Sequence, residues 1–293
     1  MTKFVSGALV ALFAGSAAQA QSPEGWLFRF DGAFLHQGDA DLSGGSTFGV
    51  DRTYLRFGAF NRLPSGLSIG VAASGGRSDY AFSGAAPWGR IKESTVSVTV
   101  AGRTDAGARW FVAPSIRMRA EKGASSLDGQ SAGLFAGMSW QVNDRLNIGP
   151  AFGVFGGLGS DEYDVFPALL LDWQLTDRFS LTTGPTIGAS QGPGLSLRYD
   201  MSEAWSLTLS ARRETNRFAL SNTGQTPKGI GEDRSIPVVL SLGYAPNPGM
   251  KAIVFAGAEL NGQLSVENAV GTTISSQTYS SAPLVGASFS LSF

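Results

Sequence analysis

The chain has 293 residues, a formal net charge of −1, 39 glycines and no cysteine, and only 15% of it is charged against roughly 25% in a soluble domain. Near-neutral charge argues against nucleic-acid binding, and the lack of Cys excludes a disulfide scaffold, a Cys zinc site and a thiol nucleophile. The length suits one large barrel or two ordinary domains. Beyond the N-terminus no stretch approaches the ~18 to 20 consecutive apolar residues of a spanning helix, so the hydrophobicity is dispersed in short pieces.

Residues 1–20 read as a secretory signal. Lys3 supplies the positive charge, Phe4 to Gly15 the apolar run, and Ala18-Gln19-Ala20 a small-x-small cleavage box. Cleavage is expected after Ala20, leaving a mature barrel of residues 21–293.

From Gln21 onward apolar residues alternate with polar ones, the period of a strand with two unlike faces. Strand 1 presents Trp26, Phe28, Phe30 and Phe34 outward, and the next presents Leu55, Phe57 and Ala59. Val71, Val98 and their neighbours continue the series. In residues 109–119 one parity reads Trp110, Val112, Pro114, Ile116, Met118, while Arg109, Arg117 and Arg119 share the other. A slip of one residue would turn those arginines toward the apolar side, so register is strongly specified. Further apolar faces follow at Leu134/Trp140, Ile148/Phe152, Val165/Leu169/Trp173, Leu181/Ile187, Leu195/Leu197/Tyr199, Leu207/Leu209, Val238/Leu240/Tyr244, Val254/Ala256 and Val285/Phe289/Phe293. The expected fold is all-β: a transmembrane antiparallel β-barrel of 14 strands, with 12 as the alternative because the segment 195–200 is short for a spanning strand. Pro114, Pro150, Pro167, Pro185, Pro237 and Pro283 fall inside these strands, where each removes a ladder donor, so bulges or breaks are expected there.

Tight polar turns, such as Leu63-Pro64-Ser65-Gly66 and Asn143-Asp144-Arg145, alternate with longer Gly/Ser/Asp-rich connections at 37–48, 77–90, 120–130, 215–234 and 262–278. That asymmetry is the one between periplasmic turns and extracellular loops. Trp26, Trp110, Trp140, Trp173, Tyr199, Trp205, Tyr244 and Phe293 then fall at one level, as an interfacial aromatic girdle would.

The opposite parity places Arg29, Asp31, Arg52, Tyr54, Arg56, Arg109, Arg117, Arg119, Asp172, Arg198, Asp200, Arg212, Glu214 and Glu259 inside, with basic groups in surplus. Such charges either fill a closed lumen with ion pairs or line a passage attractive to anions. Fourteen strands ~4.8 Å apart and tilted ~40° give a backbone diameter of roughly 28 Å, wide enough for a small solute unless a loop folds in. Residues 215–234 are the longest candidate for that loop. No cofactor, metal or catalytic residue is assigned. The single histidine, His36, stands near Asp39, Asp41 and Ser43 without a nucleophile motif; the Gly156-Gly157-Leu158-Gly159 run precedes a loop and not a helix; and Asp161, Glu162 and Asp164 match no calcium-loop spacing.

The chain closes Val285-Gly286-Ala287-Ser288-Phe289-Ser290-Leu291-Ser292-Phe293, which resembles the C-terminal signal by which Gram-negative outer-membrane barrels are recognised for assembly. A wider likeness runs from about 195 to 293, through Gly-Leu-Ser-Leu-Arg-Tyr-Asp, Trp205-Ser-Leu, Gly-Glu-Asp-Arg-Ser-Ile-Pro, Ala256-Gly257, Tyr279 and Ala282-Pro283. It resembles a family of Gram-negative outer-membrane β-barrel proteins and implies location and fold, not chemistry. The expected partners are outer-membrane lipid, the barrel-assembly machinery through Phe293, and small solutes. The expected function is passive or gated passage of a small solute by a non-enzymatic barrel. The alternatives are a plugged structural or surface-interaction barrel and, third, an outer-membrane enzyme.

Overall fold

The computed structural model describes residues 25–125, 127–156, 158, 163–184 and 194–293. The signal segment, Asp161, Glu162, Pro185 and Ile187 lie outside them.

One antiparallel sheet closes on itself. The first strands are β1 (Trp26–Asp41), β2 (Thr47–Arg62), β3 (Ser68–Phe82), β4 (Arg90–Arg103) and β5 (Arg109–Glu121). There follow β6 (Gln130–Asn143), β7 (Leu146–Gly156), β8 (Tyr163–Gln174), β9 (Phe179–Thr183), β10 (Gly194–Asp200) and β11 (Trp205–Arg212). The last are β12 (Glu214–Ala219), β13 (Ile230–Asn247), β14 (Met250–Glu267), β15 (Thr273–Tyr279) and β16 (Ala282–Ser292). Two of the staves are interrupted. β11 and β12 pair with β13 in one unbroken register, Trp205 opposite Tyr244 and Glu214 opposite Ser235. β15 and β16 likewise share one register on β14, with Gly262 opposite Tyr279 and Glu259 opposite Ala282. β1 pairs with β16 to complete a closed barrel of 14 staves, so the twelve-strand alternative falls.

The faces follow the period-two reading. Leu55, Val71, Val98, Ile116, Leu169, Leu209, Leu240, Val254 and Val285 are exposed on the outside, while Ala113, Ser115, Phe135, Ala151 and Val239 are buried on the inside. At the short-turn end Trp26, Trp140, Trp173, Trp205, Tyr244 and Phe293 stand exposed, and pairs such as Trp205 and Tyr244 hold their rings 4.7 Å apart. Such a belt suits a headgroup layer.

Three of the strand prolines sit where a ladder breaks, whereas Pro167 keeps its partner Phe152 in an unbroken β7–β8 register. Pro114 keeps its partner on β6, but the β4–β5 pairing skips from Ser97/Ser115 to Val100/Val112 around it. Pro150 does the same to β6–β7, and Pro237 falls in the gap between β11 and β12 on their shared partner. A missing N–H leaves the neighbouring carbonyl without its donor, and the strand bends or parts there.

The long connections of the sequence reading are mostly strand. β1, β3, β14 and β15 carry their pairing well into 37–48, 77–90 and 262–278, and the segment 215–234 is a hairpin of β12 with the start of β13. Polar alternation hid them, because strands that rise beyond the apolar outer belt have no need of an apolar face.

Candidate functional site

The hairpin of β12 and β13 decides what the lumen can do. Arg212 is the last residue of the stave with a described partner on β10, and further up Ala219 pairs, in parallel, with Ala120 at the top of β5. The turn above it is fastened there, with the Ser221 N–H donating to Glu121 Oε2 at 2.8 Å. Leu42 bridges to Tyr279 on the other side. The upper storey is therefore a smaller ring made of β1 to β5 and β12 to β15. These nine strands come close to the roughly eight whose interior side chains can fill, whereas fourteen leave a passage. This one is filled: Phe48, Val50, Trp88, Ile91, Phe218, Leu220, Leu264, Val266 and Tyr279 form a single buried cluster, and both faces of β12 are largely buried. Residues 215–234, which the sequence named as the candidate to fold into the passage, supply Phe218 and Leu220 to this packing.

Beneath the apolar packing lies a buried charge cluster. Arg52 on β2 donates to Glu259 Oε1 of β14 at 3.0 Å and to Asp233 Oδ2 of β13 at 3.1 Å. Glu214 of β12 stands 3.6 Å away, an ion pair beyond hydrogen-bond reach. Tyr80 donates to Asp233 at 2.8 Å, and the Tyr279 hydroxyl lies 3.0 Å from Asp233 and 3.2 Å from Glu259. Arg212 lies beside Glu214. Glu259 is 0% exposed and Arg52 4%. One guanidinium thus ties the barrel wall (β2, β14) to both strands of the hairpin. A glycine makes room for the latch: a Cβ on Gly262 would collide with the Tyr279 ring, which lies flat against the wall at that point.

The other predicted lumen residues divide by level. Arg119 is buried and bonded to Glu93 at 3.1 Å, and neighbouring Arg117 lies over the Phe155 ring, 5.1 Å from its centre. The Arg117 Nε has no hydrogen-bond partner among the described residues. Below it the inner wall is aromatic, with Phe111, Phe135, Phe155 and Phe166 packed together. Toward the turn end the groups are more open. Arg29 pairs with Asp31 at 2.8 Å and Arg198 with Asp200 at 2.7 Å, while Lys251 lies near both arginines. Arg109 is exposed, and Arg56, Tyr54 and Asp172 are part-buried. The structure therefore brings Arg52, Arg212, Glu214 and Glu259 into one cluster and leaves Arg29, Arg56, Arg109, Asp172 and Arg198 outside it. Of the two readings of the inward charges, ion pairs or an anion-attracting passage, Arg52 and Arg119 take the first, since acids answer both.

His36 also moves from its expected company. It is on the outer face, and its Nδ1 lies 2.8 Å from Asp51 of the adjacent strand. Asp233, Tyr80, Tyr279, Glu93, Glu121 and Lys251 are site residues that the sequence reading passed over. A signal exists for Asp233, which continues the inward parity of Ser235, Pro237 and Val239, although it lies inside the polar 215–234 connection.

An antiparallel barrel with an apolar exterior, an aromatic belt at its short-turn end and an ion-paired interior is the class that fold and site define. No protein-family model and no curated protein matches the chain. Among solved structures it is similar to an outer membrane channel from Pseudomonas putida F1, with TM-score 0.51 and 11% identity over 95% of this chain and 99% of that one. It is also aligned with the Pseudomonas putida toluene transporter TodX (TM-score 0.43, 8% identity, 92% and 90% covered) and with a Pseudomonas aeruginosa FadL homologue (0.42, 12%, 91% and 88%). The first of these supports the barrel fold.

Proposed function

We propose that the protein is an outer-membrane channel for small solutes, exported by cleavage after Ala20, assembled through its terminal Phe293, and gated by the β12–β13 hairpin. What carries the reading is the position and fastening of that hairpin. Its β12 arm lies in the upper lumen of a barrel otherwise wide enough for passage, its β13 arm is laddered to β14 from Ile230 to Arg234, and ion pairs centred on Arg52 link both arms to β2 and β14. A permanent plug is more simply built from apolar packing alone, because replacing a buried ion pair with well-packed hydrophobic groups is often neutral or stabilising. Charge pairs that can be rehydrated suit a device that opens.

The more open end gives the expected selectivity. Arg29, Arg56, Arg109, Arg198 and Lys251 face Asp31, Asp172 and Asp200, so the mouth is net basic and an open pore prefers anions. The test is conductance in a planar bilayer. The full mature chain should show low or intermittent conductance, and a variant with residues 217–232 replaced by Asn-Gly should conduct steadily with a reversal potential on the anion side. No conductance from a correctly folded hairpin variant refutes the channel and leaves the second reading, a structural barrel, which the dense packing of the upper ring favours. A cation preference would keep the channel and assign control to the acids.

A further inference from the structure

On β3 to β5 the charges are sorted by face just above the apolar band. Outward, Val71, Ala73, Val96, Val98 and Ile116 give way to Arg77 and Lys92, which are direct cross-strand partners, and then to Arg90, with Lys122 at its side through an N–H bond to the Arg90 carbonyl. All four side chains are exposed. Arg77 and Lys92 are nine and eleven residues from the turn ends Ser68 and Arg103, about the length with which a tilted strand crosses the hydrocarbon. The acids of the same strands face the other way: Glu93 binds Arg119, and Glu121 accepts from the Gly89 and Ser221 N–H groups. Asp79 is the exception, outward and placed between Arg77 and Arg90. Asp51, one strand further, is engaged by His36. Four cations against Asp79 leave the patch with net charge about +3, or +2 if Asp51 is included.

We propose that this patch is a docking surface for the phosphorylated headgroups of outer-leaflet lipid. The chemistry is specific in three ways. The patch borders lipid directly, so its ligand arrives with acyl chains that cover Val96 and Ile116 below it. Arginine presents a fork of N–H donors that matches phosphate geometry, and lysine adds point charge. Asp79 orients both arginines without neutralising the set. The inference uses the outer face alone and is independent of the gate.

The experiment uses the full mature chain refolded in detergent and mixed with bisphosphorylated lipid A, with the dephosphorylated lipid, or with phosphatidylcholine, and retained lipid is counted by native mass spectrometry. The wild type should retain lipid A at least tenfold over the other two, and R77Q/R90Q/K92Q should lose that preference. Arg213→Gln, an exposed arginine elsewhere at the top of the barrel, should leave it unchanged. Lys92→Gln and Lys122→Gln, both at exposed positions that disturb no ion pair, should each weaken retention several-fold, so the proposal stays testable if the triple variant misfolds. Equal retention by the triple variant, or equal binding of the dephosphorylated lipid, overturns it. So does displacement of lipid A by millimolar inorganic phosphate, which would make the patch a site for the free anion.

Discussion

Replacing Arg52 with methionine should release the β12 arm of the hairpin from β5 while leaving the barrel wall, including the β13–β14 ladder, intact. The side chain makes two charge-assisted hydrogen bonds, at 3.0 Å to Glu259 and 3.1 Å to Asp233, and balances a third acid at 3.6 Å. Bonds of that kind contribute ~1.5 to 3 kcal/mol each, and removing one partner of a buried pair costs ~3 to 5 kcal/mol because the other charge is left behind. Three carboxylates would then share one buried site with two tyrosine hydroxyls. Even ~3 kcal/mol corresponds to a roughly hundredfold rise in the undocked population, at about 1.4 kcal/mol per tenfold. The wall survives because its ladder on β2 does not involve the side chain. Since the chain has no cysteine, Ala219→Cys gives a single probe at a position 1% exposed where the hairpin meets β5. A water-soluble maleimide should label A219C slowly and A219C/R52M about a hundredfold faster. Adding Glu259→Gln should restore much of the protection, because it removes one of the stranded charges. Equal labelling rates with and without Arg52 would refute the latch and assign the closure to apolar packing.

Two further outcomes follow from the same geometry. Gly262→Ala should displace the Tyr279 ring and with it the hydroxyl that contacts Asp233 and Glu259, loosening the latch by ~1 to 2 kcal/mol and raising A219C labelling by a smaller factor than R52M; unchanged labelling would mean that the ring does not hold the acids. Leu240→Arg, on the lipid side at 50% exposure and opposite Ala256, should lower barrel stability by ~2 to 4 kcal/mol in urea titrations in lipid, whereas Ser241→Ala on the inner face should cost less than 1 kcal/mol; the reverse order would invert the facing.

Alternation and turn chemistry are local properties, and they were sufficient for the wall. Because side chains point to opposite faces with period two, Leu55, Val98 and Leu240 could be placed outside, and Arg52, Arg117 and Glu259 inside, from the sequence alone. Strand number also followed, since each turn and each alternating run is local. The sequence also named 215–234 as the segment able to fold into the lumen, but not whether it does so or what receives it. Whether Glu214 and Asp233 are solvated loop acids or the buried partners of Arg52 depends on where the 214–235 hairpin goes. That is set by long-range contacts: Ala219 with Ala120, Ser221 with Glu121, and Phe218 with Trp88. The same residues could stand above the barrel with an unchanged pattern of polar and apolar positions. Tertiary structure chose otherwise because folding in buries Phe218 and Leu220 and gives Arg52 its acids. Pairing across the barrel, between residues from 99 to 130 positions apart, has no periodicity by which a sequence could announce it.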